Sequence, residues 1–351
     1  MNETNTTPRQ KFILNLINKL AVIGREEIQK EVSVIYKISK PTLIRDLNTL
    51  IEKSLIRASG KGKNIKYLPF SQNPLLRQFD LDQYFSIDPD ARIDAKKQFN
   101  LGVFEHLYNL FSSEELEKIN KVQLSFNKQE EKLAPDILKR ELERFIIEFS
   151  WKSSKIEGNT YTLLETESLI KESKEVKGKR HDEAIMILNH KSAFEQILKS
   201  RNDFKKISLS LINQLHNVMI KDLGITTGIR KQAVGITGTT YRPLDNEHQI
   251  HDAMDRFVDT VNKNPSSYEK ALISNLMLSY IQPYSDGNKR TARMLSNGIL
   301  LAYNNFPLSY RSTDEDEFKK SLIVFYEQGS IYHFKKIFTD QLLFAYGTYF
   351  K

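Results

Sequence analysis

The chain has 351 residues, 52 Lys and Arg against 44 Asp and Glu, and no cysteine, which excludes disulfide scaffolds, thiolate metal sites and cysteine nucleophiles. A hydrophobic fraction of 40% excludes a disordered chain, and at roughly 100–200 residues per domain the length predicts two domains. The charge is uneven: residues 1–70 hold thirteen basic and six acidic side chains, a net +7, whereas residues 71–351 carry only +1. A basic head on a near-neutral body predicts a head that meets polyanions and a body with another task.

The start, MNETNTTPRQKF, lacks a cationic segment followed by an apolar run. No stretch approaches the roughly 18 apolar residues that a membrane span needs, so the expectation is a soluble, cytoplasmic protein with no membrane partner. Residues 8–20 read as a helix, with Phe12, Ile13, Leu16, Ile17 and Leu20 at helical spacing. Arg25–Val32 forms a second helix after Gly24, and Ser39, Pro41 and Thr42 open a third, lined by Leu43, Leu47, Leu50 and Ile51. Two short apolar runs around Gly60-Lys61-Gly62 then read as a hairpin. Three short helices followed by a basic hairpin is the order of a winged helix-turn-helix over residues 1–70. Its third helix offers Lys40, Thr42 and Arg45 to a major groove, and its hairpin Lys61, Lys63 and Lys66 to phosphates. The alternative is a small protein–protein module with a solvated charged face.

Residues 71–136 read as linker and helical prelude, with helical patterns around 97–111 and 113–125. From 137 onward helices dominate: about 137–157, 162–173, 182–199, 207–221, 247–262, 267–281, 289–304 and 315–327. The exception is KQAVGITGTTYRP at 231–243, where Val234 and Ile236 alternate with small residues and Gly238 marks a turn. That pattern predicts a short β-hairpin, or flap, within an all-α domain. The seven histidines form no HExxH or comparable ligand cluster.

Ser279–Arg293, SYIQPYSDGNKRTAR, joins two apolar helices. Gly287 and Asn288 tolerate left-handed backbone where the next helix begins, so free amide N–H groups converge there, and such a turn binds anions. Lys289, Arg290 and Arg293 add positive charge, the two arginines three apart on one helix face. Asp286 would repel a phosphate unless a cation lies between, and Mg²⁺ bridging it to a di- or triphosphate resolves the conflict. An ordinary interhelical loop with solvated basic residues is the competing reading.

The stretch Gln282-Pro283-Tyr284-Ser285-Asp286-Gly287-Asn288-Lys289-Arg290-Thr291-Ala292-Arg293 resembles the H-P-F-x-[DE]-G-N-[GK]-R-x-x-R loop of the Fic (Fic/Doc) domain family. Gly228-Ile229-Arg230 with Val234, Gly235, Ile236, Thr237, Gly238, Tyr241 and Pro243 looks like that family's target-docking flap, and Leu215-His216 resembles its helix-two signature. The likeness covers about 137–340. It implies a mainly α fold, a Fic-type helical bundle with a small flap over 137–351. By resemblance, amides near Gly287 and Asn288 cradle nucleotide phosphates, Asp286 holds Mg²⁺, Arg290 contacts phosphate and Arg293 holds the γ-phosphate. The implied activity is transfer of AMP from ATP to a Ser, Thr or Tyr hydroxyl of a target protein, with pyrophosphate leaving.

The departure is at the histidine that takes the proton from the target hydroxyl, where this chain has Gln282. A carboxamide does not titrate near neutral pH, and losing a positioned base costs about 10²–10⁴-fold in rate. Gln282 reads equally as the mark of a decayed enzyme and as a silencing substitution. Ser153-Ser154-Lys155-Ile156-Glu157-Gly158-Asn159 resembles the family's inhibitory pattern [ST]-x-x-x-E-[GN]. Glu157 falls at a helix C-terminus before Gly158, where a carboxylate opposes the helix dipole and wants a cation. Thr162 and Glu165 form a capping box that starts the next helix. By resemblance Glu157 pairs with Arg293 and blocks γ-phosphate placement; a solvent-exposed glutamate is the bland alternative. Two functions follow: an autoinhibited adenylyltransferase impaired by Gln282, or a nucleotide-sensing DNA-binding regulator with a non-catalytic Fic domain. A helical surface of this size often pairs, so a homo-oligomer is a further expectation.

Overall fold

The computed structural model describes residues 6–20, 22–60, 62–70, 73–92, 94–130 and 134–349. The chain divides into two compact units, Met1–Arg92 and Ile93–Lys351.

In the first unit α1 (Pro8–Leu20), α2 (Arg25–Ile35) and α3 (Lys40–Glu52) enclose Ile13, Ile17, Ile28, Val32, Leu43, Leu47 and Leu50, all fully buried. Each helix contributes residues three or four apart, so every apolar stripe faces this one core. A buried carboxylate, Asp46, ties α3 to α1 through Arg9 at 2.6 Å and Gln10 at 3.1 Å. The strands β1 (Ile23–Gly24), β2 (Ile56–Ser59) and β3 (Lys66–Pro69) form an antiparallel sheet in the order β1-β3-β2, with Tyr67 opposite both Ile23 and Ala58. The two-residue β1 has no sequence signal of its own. Gly60 turns the chain at φ 86°, and a Cβ there would sit 2.7 Å from the Asn64 carbonyl. A short helix, α4 (Leu81–Phe85), follows, capped by the Asp80 side chain.

The second unit is helical: α5 (Ser113–Glu130), α6 (Pro135–Ile156), α7 (Leu163–Glu172), α8 (His181–Lys199), α9 (Leu209–Met219), α10 (Glu247–Lys263), α11 (Ser267–Ile281), α12 (Asn288–Ala302), α13 (Glu315–Gln328) and α14 (Tyr332–Thr348). A surface helix keeps one face in solvent, but α11 is buried at every position from Tyr268 to Ile281. A helix buried all round belongs at the centre of a bundle. It pairs with α12, and α6, α8, α9, α10 and α13 surround the two. The expected Thr162–Glu165 capping box forms at the start of α7, with bonds of 2.7 and 3.2 Å.

Two expectations are corrected, and one helix is added. Helix over 97–111 shrinks to a 3-10 turn, Leu101–His106, because the Asn100 side chain takes the Gly102 N–H and the buried Glu269 carboxylate takes the Leu110 N–H. The segment 231–243 contains no paired hairpin. It turns at Gly238, as expected, at φ 86°, but no strands pair across the turn, and its bridge joins Arg242 to Gln98. Helix α14 has no counterpart among the expected elements; aromatic and basic residues obscure its apolar stripe, which Phe334, Phe338, Leu342 and Ala345 nonetheless bury.

Candidate functional site

The α11–α12 connection builds the site. Gln282 ends α11 in the left-handed region at φ 51°, its N–H donating to Leu278 O at 3.2 Å and its amide nitrogen to Ser279 O at 2.7 Å. One N–H of the side-chain amide is therefore spent on the helix end. Asn288 braces the turn, accepting from Tyr284 N at 2.9 Å and donating back to Tyr284 O at 2.8 Å. Gly287 takes φ 79°, and a Cβ there would meet Ile220 Cγ2 at 2.9 Å. Thr291 N–H closes on Gly287 O, leaving the N–H groups ahead of it without intrahelical acceptors.

Two residues outside the loop hold its shape. His216, fully buried on α9, stacks on Tyr284 at 3.6 Å, and its Nε2 donates to Asp286 O at 2.9 Å. Burial pulls the ring's pKa down to about 4, so it is neutral. Arg230 donates its backbone N–H to Pro283 O at 2.9 Å and its Nε to Gln282 O at 2.7 Å, and its terminal nitrogens hold Gln232 O and Leu244 O. One guanidinium thus fastens both the loop and the ends of the flap. Its sequence signal was only membership of the flap segment.

A cavity of about 460 Å³ opens over this turn, lined by Glu157, Val234–Gly238, Gln282, Ser285–Arg290 and, from α13, Phe318, Leu322 and Tyr326. The flap residues Val234, Gly235, Ile236, Thr237 and Gly238 form one wall. Tyr241 does not line it: the ring is buried against Tyr280 and Tyr326, and its hydroxyl donates to Tyr280 O at 2.8 Å, anchoring the flap's end. The α13 side chains gave no signal in the sequence, because their apolar spacing is that of any packed helix.

Charge is concentrated here. Arg290, 3% exposed in its side chain, lies 3.3 Å from Asp286, while its Nη1 is buried with no hydrogen-bond partner among the described residues. The Gly287 N–H is taken by Asp286 Oδ1 at 2.5 Å, but an orphaned guanidinium nitrogen beside the open N-terminus of α12 suits an incoming phosphate. The Asp286 carboxylate is 68% exposed in its side chain. No group of three or more His, Asp or Glu able to hold a metal occurs among the described residues. One exposed carboxylate with phosphate oxygens and water is nonetheless a donor set that Mg²⁺ accepts.

Glu157 caps the C-terminus of α6, and its carboxylate meets Arg293 Nη1 at 2.8 Å and Lys289 Nζ at 4.0 Å. Burial pushes the carboxyl up, but Arg293 and Lys289 outweigh it and hold it below the usual carboxylate range. Arg293 is fully buried and also donates to Ser153 Oγ at 2.9 Å and Ser153 O at 2.8 Å. Gly158 turns the chain away at φ 95°. Glu157 and Lys289 thus line the cavity, with Arg293 and Ser153 buried behind Glu157.

In the first unit, Lys40 and Arg45 are exposed on α3, Thr42 is half-buried with its hydroxyl 2.9 Å from that of Ser39, and Lys66 is half-buried on β3. Lys61 and the side chain of Lys63 lie outside the described residues.

Residues 206–300, which contain segment 231–243 and the whole α11–α12 turn, match the model of the Fic/DOC family. Over those residues the chain is similar to that family. The protein adenylyltransferase Fic of Nematostella vectensis is 28% identical over 199 residues, covering 53% of this chain and 44% of that protein. That of Drosophila willistoni is 30% identical over 174 residues, covering 48% of this chain and 34% of its own length. The chain thus spans less than half the length of these curated relatives. Among solved structures, Fic-1 from C. elegans superposes with a TM-score of 0.57 at 20% identity over 67% of this chain and 70% of that one. A Fic domain containing signaling protein from Bacteroides thetaiotaomicron gives 0.56 at 21% identity over 66% and 94%. At such identities the likeness is one of fold, and Glu157 lies outside the residues matched by the Fic/DOC model.

Proposed function

We propose that this chain is a Fic-type protein adenylyltransferase, restrained by Glu157 and impaired in transfer by Gln282. The observation that carries the reading is the 2.8 Å Arg293–Glu157 pair at the edge of a cavity whose floor is an anion-binding turn. In this reading the amides at Gly287 and Asn288, with Lys289 and the free Nη1 of Arg290, receive the phosphates of ATP. Mg²⁺ held by Asp286 would neutralise part of their charge. The flap lays a target segment across the cavity, and the target's Ser, Thr or Tyr hydroxyl oxygen attacks the α-phosphorus as pyrophosphate leaves. The hydroxyl proton needs an acceptor, which the Gln282 amide does not supply. Arg293, otherwise available to the γ-phosphate, is occupied by Glu157. Binding is thus expected to survive better than turnover.

The test is transfer of labelled AMP, with ATP binding measured in parallel, for the wild type, Glu157→Gly and Glu157→Gly with Gln282→His. Labelling by the double variant supports the reading. A double variant that neither binds ATP with Mg²⁺ nor labels any protein removes it.

A second reading concerns the first unit. Its element order and its exposed Lys40 and Arg45 favour a winged helix-turn-helix that binds duplex DNA, with the Fic domain as a nucleotide sensor. Affinity for duplex DNA that falls as salt rises supports it. No binding at low salt argues against it.

A further inference from the structure

Behind the Glu157–Arg293 pair stands a buried hydrogen-bond chain that the proposed function leaves unused. His190, on α8, is fully buried, as are Ser153 and Arg293. Its Nδ1 lies 2.8 Å from Met186 O, and its Nε2 lies 2.8 Å from Ser153 Oγ. The Phe149 ring meets the imidazole edge-on at 5.8 Å and fixes its plane.

The donors can be assigned from chemistry. A carbonyl only accepts, so Nδ1 carries a proton toward Met186 O. Burial, with Arg290 and Arg293 nearby, pulls the pKa of His190 down to about 3, so the ring is neutral and Nε2 is an acceptor. The Ser153 hydroxyl therefore donates to Nε2, which turns its lone pairs to the Nε–H of Arg293 at 2.9 Å. Each bond has one direction: Arg293 to Ser153, Ser153 to His190, His190 to Met186 O. With the Ser153 carbonyl holding Nη2 as well, the guanidinium is aimed so that Nη1 meets Glu157.

We propose that His190 is a positioning residue that keeps Ser153 an acceptor and thereby holds Arg293 on Glu157, away from a bound triphosphate. This rests on the reading that a freed Arg293 serves the γ-phosphate. Without the imidazole acceptor, the Ser153 hydroxyl is free to rotate its proton toward Arg293, and the lock loosens. ADP, which lacks a γ-phosphate, should be indifferent to the change.

The experiment is calorimetric titration of the full chain with ATP or ADP, each with Mg²⁺, reading the ratio of the two affinities. His190→Leu should raise the preference for ATP by about ten- to hundred-fold, the worth of a hydrogen bond to a charged group. His190→Gln, which restores an acceptor for Ser153 and a donor for Met186 O, should return the ratio toward wild type. Ser153→Ala removes only a hydroxyl and carries the same expectation as His190→Leu, so it decides the matter if that variant does not fold. In a Glu157→Gly background His190→Leu should change nothing further. A ratio that moves with Glu157→Gly but not with His190→Leu or Ser153→Ala overturns the proposal. So does an equal effect of His190→Leu in the Glu157→Gly background, which would mark a merely structural role. If Glu157→Gly itself leaves the ratio unchanged, the reading of Arg293 fails and the relay falls with it.

Discussion

Arg293 and Glu157, 136 residues apart in the chain, meet at 2.8 Å with the guanidinium fully buried. Breaking a buried pair from one side costs about 3 kcal/mol or more, because the remaining charge is uncompensated. Glu157→Gly should therefore lower the melting temperature of the free protein and enlarge the stabilisation by ATP with Mg²⁺. Thermal denaturation with and without nucleotide checks both. An unchanged nucleotide effect would mean that the pair does not compete with binding.

Gln282 spends one amide N–H on Ser279 O at 2.7 Å. Gln282→His alone should give little transfer, since Arg293 stays occupied. Added to Glu157→Gly, it should raise the transfer rate by about 10²–10⁴-fold over Glu157→Gly alone, the worth of a positioned base. Initial rates of AMP incorporation decide this, and equal rates for the two backgrounds would assign the proton to another group.

The pH dependence of stability follows from His190 and His216, whose pKa values fall to about 3 and about 4. Both lie below the unfolded value of about 6.5, so the unfolded chain binds protons that the fold excludes. Their contribution is fully present above about pH 6.5 and is lost as pH falls toward 4, at up to about 1.4 kcal/mol per pH unit for each ring. Denaturant midpoints between pH 7.5 and 5 measure the slope. Replacing either histidine with Gln should reduce it.

Gly287→Ala places a methyl 2.9 Å from Ile220 Cγ2 at a φ of 79°. The strain should cost about 1–3 kcal/mol of stability. It should also weaken ATP binding, since the amides that follow shift with it. Chemical denaturation and titration calorimetry read the two effects separately.

Arg45 and Lys66 together replaced by Ala should weaken any duplex binding at all sequences and flatten its salt dependence by about one counterion per lost phosphate contact. Fluorescence anisotropy across a salt series tests this. An unchanged slope would leave the basic head to a protein partner.

The α11–α12 turn was legible as a turn because its residues are local: Asp286, Gly287, Asn288, Lys289 and Arg290 are consecutive. The helices of the bundle were legible from apolar spacing, and the Thr162–Glu165 cap from its residue types. What escaped is long-range. His190 meets Ser153 and Arg230 meets Gln282 only after the bundle assembles, and neither spacing nor composition marks such meetings. The flap misled for a related reason: Val234 and Ile236 alternate like a strand, yet among the described residues no neighbouring strand pairs with them. Helix α14 was hidden by its aromatic and basic residues.

The α6 helix is also moored by contacts that do not involve Glu157 itself. Glu148 holds Arg311 at 2.7 Å and the Tyr349 hydroxyl, and buried Lys152 holds Glu315 at the start of α13. None of these contacts involves the cavity's anion-binding turn. In the proposed reading, releasing Arg293 breaks its bonds to Glu157 and Ser153 while these other moorings of α6 stay in place. If Glu157 restrains Arg293 as proposed, the restraint is a latch at a fixed doorpost, and amide exchange along α6 should be the same in its engaged and disengaged states.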